Sequence, residues 1–207
     1  MNCFLTVFQK KNSIYILKYV LLCTVIVLFI EGIKVLLDFE EVISNKLEES
    51  FFNNLFWSCF GAVFFSPLVE ETAFRLSLRR NVYFPASIII CLVFLLSSTY
   101  IYTQASCVLF ILLILVNQYK KNFSHKLIEI LLICFSVISF VLIHFDNYDK
   151  RELHSLNPFE IGLLFMPQFI LCIILTKVRL ETCFINSLII HSLYNLIILT
   201  FALIFNY

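Results

Sequence analysis

Glycine and proline are scarce in this chain, three and four residues respectively out of 207. That leaves no Gly/Ser- or Pro-rich linker, no low-complexity segment and nothing to divide it into separate domains. Charge is scarce as well, at 14% of residues, and balances to a net +1. There is thus no electrostatic case for a nucleic-acid or acidic partner. The eight cysteines, at positions 3, 23, 59, 91, 107, 134, 172 and 183, include no CxxC pair, and most lie within apolar runs. They read as small buried hydrophobes, not as a metal or disulfide framework. No small-residue cleavage site follows the first apolar stretch, so residues 14–37 read as a retained span and not as a signal peptide.

What is abundant is apolar surface. Hydrophobic residues make up 61% of the chain, 24 of them Phe, and mean hydropathy is +0.95. A soluble domain has about 45–50% apolar residues. A spanning helix needs about 20 apolar residues. On that measure the sequence predicts an all-α polytopic transmembrane bundle, a single integral-membrane domain over 1–207. The expected spans are roughly 14–37, 53–78, 83–102, 104–118, 126–145, 159–176 and 183–205. Seven is the expected count, with six to eight compatible with the pattern. Seven spans put Lys10 and Lys11, Arg79 and Arg80, Lys120, Lys121 and Lys126, and Lys177 and Arg179 on one side. By the positive-inside rule that side is cytoplasmic, with the N-terminus on it. The loops at 38–49 and 146–152 on the other side are acidic or mixed.

Against this background "SPLVEETAFRLSLRR", residues 66–80, stands out for two adjacent glutamates, Glu70 and Glu71. A carboxylate at mid-bilayer costs about 2.5–3.5 kcal/mol on insertion scales, and such groups mark function. Counting from the helix ends, Glu70 lies about 15 Å into the membrane, His191 about 13 Å and Asn195 about 20 Å. His144 counts to about 27 Å, deeper than the others by most of half a bilayer. Helix tilt absorbs part of that misfit.

Spacing assigns roles. Glu71 and Arg75 are four apart and share a helix face, so they can pair, which lowers the cost of burying both. Glu70 points about 100° away and lacks that partner. An unpaired carboxylate in a low dielectric suits a general base. His191 and Asn195, also four apart, can converge on one small group as an oxyanion clamp requires. Phe140 sits on the same face as His144 and walls it. Pro67 is expected to open the backbone ladder and widen the space around Glu70. Each residue also has a plainer reading. Glu71 with Arg75 can be a structural ion pair, either histidine a hydrogen-bonded core residue, and Asn195 interhelical glue. His125 and His154 read as solvated edge residues.

The three motifs together resemble the CPBP family, the type II CAAX prenyl endopeptidases and their bacterial relatives. The motifs are EExxxR at Glu70–Arg75, FxxxH at Phe140–His144 and HxxxN at His191–Asn195, in the family's order and spacing. The matched region is about 60–197. One departure is that the FxxxH helix does not directly follow the EExxxR helix, and a helix hairpin at about 83–118 reads as an insertion between them. The resemblance implies an intramembrane endopeptidase. Glu70 and His144 would activate a water, His191 and Asn195 would stabilise the oxyanion, and Glu71, Arg75 and Phe140 would support them. It leaves the cofactor open. No ion is firmly called for, and if zinc were held, Glu70, His144 and His191 would be its ligands. The implied partners are a peptide or membrane-protein substrate and the lipid bilayer. Composition suggests a bacterial plasma membrane. Two other classes compete. One is a non-catalytic membrane protein, such as a bacteriocin-immunity or scaffold protein. The other is a proton-coupled transporter, disfavoured because the sequence shows no internal repeat.

Overall fold

The computed structural model describes residues 10–36, 54–79, 83–119 and 125–205. Cys3, the acidic loop at 38–49, Arg80, Lys120 and Lys121 lie outside the described residues, as do the side chains of Lys10, Lys11 and His125. The described chain is helical throughout, with no strand among the described residues. Its elements are α1 (Lys10–Leu36), α2 (Leu55–Phe60), a π-helical turn (Gly61–Phe65), α3 (Ser66–Phe74) and a 3-10 turn (Leu76–Leu78). There follow α4 (Phe84–Ser97), α5 (Ile101–Tyr119), α6 (His125–Ile143), a 3-10 turn (His144–Asn147), α7 (Lys150–Ser155), α8 (Pro158–Glu181) and α9 (Phe184–Phe205).

Among the described residues, five stretches are long and apolar enough to cross a membrane: Ser13–Lys34, Ile101–Tyr119, Lys126–Asn147, Pro158–Glu181 and Phe184–Phe201. The burial pattern is that of a protein dissolved in lipid. Large apolar side chains such as Phe29, Trp57, Phe64, Leu96 and Phe159 point outward. Glu70, Glu71, Arg75, Arg179, His191 and many serines and threonines are buried. Water would drive the opposite sorting, whereas in a bilayer polar groups face the bundle interior. This is a helical membrane protein.

Two of the seven expected spans differ from the sequence reading. The span expected at 53–78 is a rod of α2, the π turn and α3, ending at Phe74. The span expected at 83–102 stops at Ser97, after 14 residues, about 21 Å and short of a 30 Å hydrocarbon core. The cause lies in the polar run Ser97-Ser98-Thr99, which offers the backbone alternative partners. Asp146 accepts hydrogen bonds from Ser98 Oγ at 2.6 Å, Thr99 N at 2.8 Å and Thr99 Oγ1 at 2.9 Å. The α4–α5 turn is thereby pinned to the end of α6.

Helix α8 begins with a capping box, in which Asn157 accepts from Glu160 N while Glu160 reaches back to Asn157 N, with Pro158 opening the first turn. It then runs to Glu181, beyond the expected end at 176. Arg179, expected in a cytoplasmic loop, is therefore inside the bundle, 7% exposed. Helix α1 buries Ile16, Tyr19, Val20, Cys23 and Val27 against α8 and α9, three-to-four-residue steps along one face. A second cluster joins Phe74, Cys91, Phe110, Ile114, Leu132, Phe140 and Cys172. Among the cysteines, Cys23, Cys91, Cys107 and Cys172 are buried, as expected. However, Cys59 is half-buried, Cys134 exposed and Cys183 disulfide-bonded, so the uniform reading of cysteines as buried apolar fillers does not hold.

Candidate active site

Helix α3 carries the glutamates, and α4, α6 and α9 pack around it. Small side chains bind its backbone to its neighbours. Ser87 of α4 donates to Thr72 O at 2.7 Å, and Ser136 of α6 donates to Phe74 O at 2.7 Å. Polar links of this kind hold helices together where no hydrophobic force acts between them.

Glu71 is fully buried. Its Oε1 lies 3.3 Å from Arg75 Nη1, as the four-residue spacing predicts. Arg75 is also fully buried. Its guanidinium lies 4.0 Å from the centre of the Phe140 ring, a cation–π contact, and Nη2 donates to Cys172 Sγ at 2.9 Å. The same Glu71 oxygen faces His191 Nδ1 at 3.1 Å. His191 Nε2 lies 3.7 Å from Glu70 Oε2. One imidazole of α9 thus bridges the two adjacent carboxylates of α3.

Glu70 has a local partner on its own helix, one turn back and not one turn on. Ser66, four residues earlier on the same face, donates its hydroxyl to Glu70 Oε1. The other oxygen, Oε2, is buried with no hydrogen-bond partner. His191 and Asn195 each have a further partner. Both border the cavity described below, but His191 is committed to the glutamates and Asn195 Nδ2 donates to Ala62 O at 2.8 Å. Helical spacing placed them on one face, but their neighbours drew them to different partners.

His144 opens the 3-10 turn after α6. Its Nδ1 is 2.8 Å from Phe140 O. A carbonyl can only accept, so Nδ1 carries the hydrogen and in the neutral ring Nε2 is the basic nitrogen. Phe140 lies between the two histidines, its ring centre 4.9 Å from that of His144 and 6.0 Å from that of His191. The two imidazoles are therefore closer together than the depth gap of about 13 Å obtained by counting each helix from its own end. Helices that start at different levels share no common ruler.

A cavity of about 660 Å³ is bordered by Glu70, His144, His191 and Asn195, together with Ser66, Asn147 and Gln168. Gln168 was missed in the sequence. Its Oε1 is buried and has no partner, and it follows Pro167, which sits inside α8. An amide beside a proline in an apolar span was a readable signal. Arg179 was also missed, since its charge was counted only for orientation. Its Nε donates to Arg75 O at 3.0 Å and its Nη2 to Leu76 O at 3.2 Å, so it closes the C-terminal end of α3. Arg79 returns the arrangement by donating to Leu180 O and Thr182 O at the end of α8.

Among the described residues, no three His, Cys, Asp or Glu side chains are grouped to hold a metal ion. Ligands of one zinc must each lie about 2.0–2.2 Å from it. In the trio Glu70, His144 and His191, Nδ1 of each histidine is engaged, by Phe140 O and by Glu71, and Nε2 of His191 lies 3.7 Å from Glu70 Oε2.

No family model matches the chain, and neither a curated protein nor a solved structure matches it.

Proposed function

We propose that this chain is an intramembrane endopeptidase of the CPBP type, acting on a peptide or membrane-protein substrate. The supporting observation is that Glu70, His144, His191 and Asn195, from three helices far apart in sequence, border one cavity inside a lipid-soluble bundle. In this reading Glu70 and His144 take a proton from water, and the hydroxide attacks the substrate carbonyl carbon. Asn195 donates to the oxyanion that forms. When the C–N bond breaks, the proton passes to the leaving amine. Ser66 and His191 hold the Glu70 carboxylate in place, and Glu71, Arg75 and Phe140 hold His191 and His144. His191 thus acts on Glu70 more directly than on the oxyanion. The proposal keeps a single membrane domain with an inserted hairpin at 83–118, in a bacterial plasma membrane with a cytoplasmic N-terminus.

The test is hydrolysis of a panel of apolar transmembrane peptides by the purified protein in liposomes. Glu70→Gln is expected to abolish cleavage while leaving insertion and melting temperature intact. Cleavage near the wild-type rate by that variant sinks the mechanism. The water-activating reading without a firmly held ion predicts well under one zinc per chain by elemental analysis, and activity that survives chelation. If the wild-type protein cleaves no peptide in the panel, the non-catalytic immunity or scaffold reading replaces this one.

A further inference from the structure

The π turn at Gly61–Phe65 leaves one carbonyl without a helical donor, and a proline is the reason. In an α-helix Ala62 O accepts from the N–H of residue 66. Here Ser66 N–H goes instead to Gly61 O, five residues back. The next donor in that wider register is residue 67. It is Pro67, which has no N–H. Both helical donors of Ala62 O are thus diverted or missing. An orphaned carbonyl in an apolar setting needs another partner, and Asn195 Nδ2 of α9 supplies it at 2.8 Å.

A side-chain amide nitrogen carries two hydrogens. Ala62 O takes one, which fixes the Asn195 amide at the edge of the cavity it borders. The second remains for a substrate oxygen. We infer that Pro67 is a positioning residue for Asn195. By holding the π turn it exposes the Ala62 carbonyl, and that carbonyl orients the asparagine. The inference rests on the proposed peptidase reading for its catalytic consequence, whereas the coupling between Pro67 and Asn195 stands on the backbone geometry alone. Single π turns inside α-helices are frequent at functional sites, and here the turn joins the glutamate helix to the last helix.

A double-substitution cycle tests it, with melting temperature and steady-state kinetics as separate readouts. Pro67→Ala restores an N–H, lets the turn relax to α-helix and returns Ala62 O to a backbone donor. The variant is expected to melt no lower than wild type, yet to lose roughly 10–100-fold in kcat with KM within about twofold, as misplaced catalytic groups do. Asn195→Ala is expected to lower the melting temperature of the wild-type background by on the order of 5 °C, because it strands Ala62 O. In the Pro67→Ala background it is expected to leave the melting temperature nearly unchanged, because Ala62 O then has a backbone donor. Equal losses of melting temperature from Asn195→Ala in both backgrounds overturn the inference. If the melting temperatures are coupled but wild type hydrolyses none of the transmembrane peptides, the peptidase reading fails and the structural coupling stands.

Discussion

The two ends of the short α3 helix are built in opposite ways. Its N-terminal end follows a π turn, begins with Ser66-Pro67 and faces a cavity. There a carboxylate oxygen of Glu70 lacks a partner and a backbone carbonyl depends on a side chain from α9. Its C-terminal end is clamped. Arg75 is fixed by Glu71, by the Phe140 ring and by Cys172. Beyond it, Arg179 caps the carbonyls of Arg75 and Leu76 while Arg79 caps the end of α8. A helix anchored at one end and loosened at the other can hold reactive groups in fixed register beside an open space. Partly satisfied polar groups are costly, and both ends carry them: Glu70 Oε2 beside the cavity, and Glu71 Oε2, Arg75 Nε and Ser77 Oγ at the clamped end, which that cavity does not reach.

Breaking the clamped end should have the largest effect on stability. Arg75→Ala takes the guanidinium from the fully buried Glu71 carboxylate, leaving His191 beside it, and is expected to cost about 3–5 kcal/mol, read as lost yield and a lower melting temperature. Changing Glu71→Gln together with Arg75→Met should recover part of that loss. A double variant as damaged as the sum of the singles shows that the two do not pair. Arg179→Ala comes next. It removes one charged donor from each of two helix-end carbonyls, Arg75 O keeping Leu78 N, and is expected to cost about 1–3 kcal/mol in all. A melting temperature equal to wild type removes the clamp from the comparison. The smallest stability change is expected at the cavity end. Ser66→Ala removes one hydroxyl donor from Glu70, worth about 0.5–1.5 kcal/mol or less to the fold. It should still lower kcat roughly tenfold by freeing the carboxylate. A stability loss as large as that of Arg75→Ala, with kcat unchanged, would reverse the contrast between the two ends.

Some of this was legible in residue order alone. The apolar runs require helices in a bilayer, because backbone groups in hydrocarbon must bond within their own segment. The Glu71–Arg75 contact follows from helical pitch, since residues four apart on one helix meet wherever that helix lies. The Ser66–Glu70 bond was readable by the same rule, applied backward. The π turn was partly readable too, as a proline in mid-span must break the ladder somewhere nearby.

What the tertiary structure decided is every contact that depends on how one helix is rotated and shifted against another. His191 and Asn195 share a face, yet one meets the carboxylates and the other a backbone carbonyl 133 residues away in the chain. His144, too deep by counting, borders the same cavity as Glu70. Arg179, a loop charge by its position in sequence, closes the end of another helix. Helical spacing sets which side chains share a face, but the depth and azimuth of each helix come from lateral packing. Near-uniform apolar sequence carries little information about either.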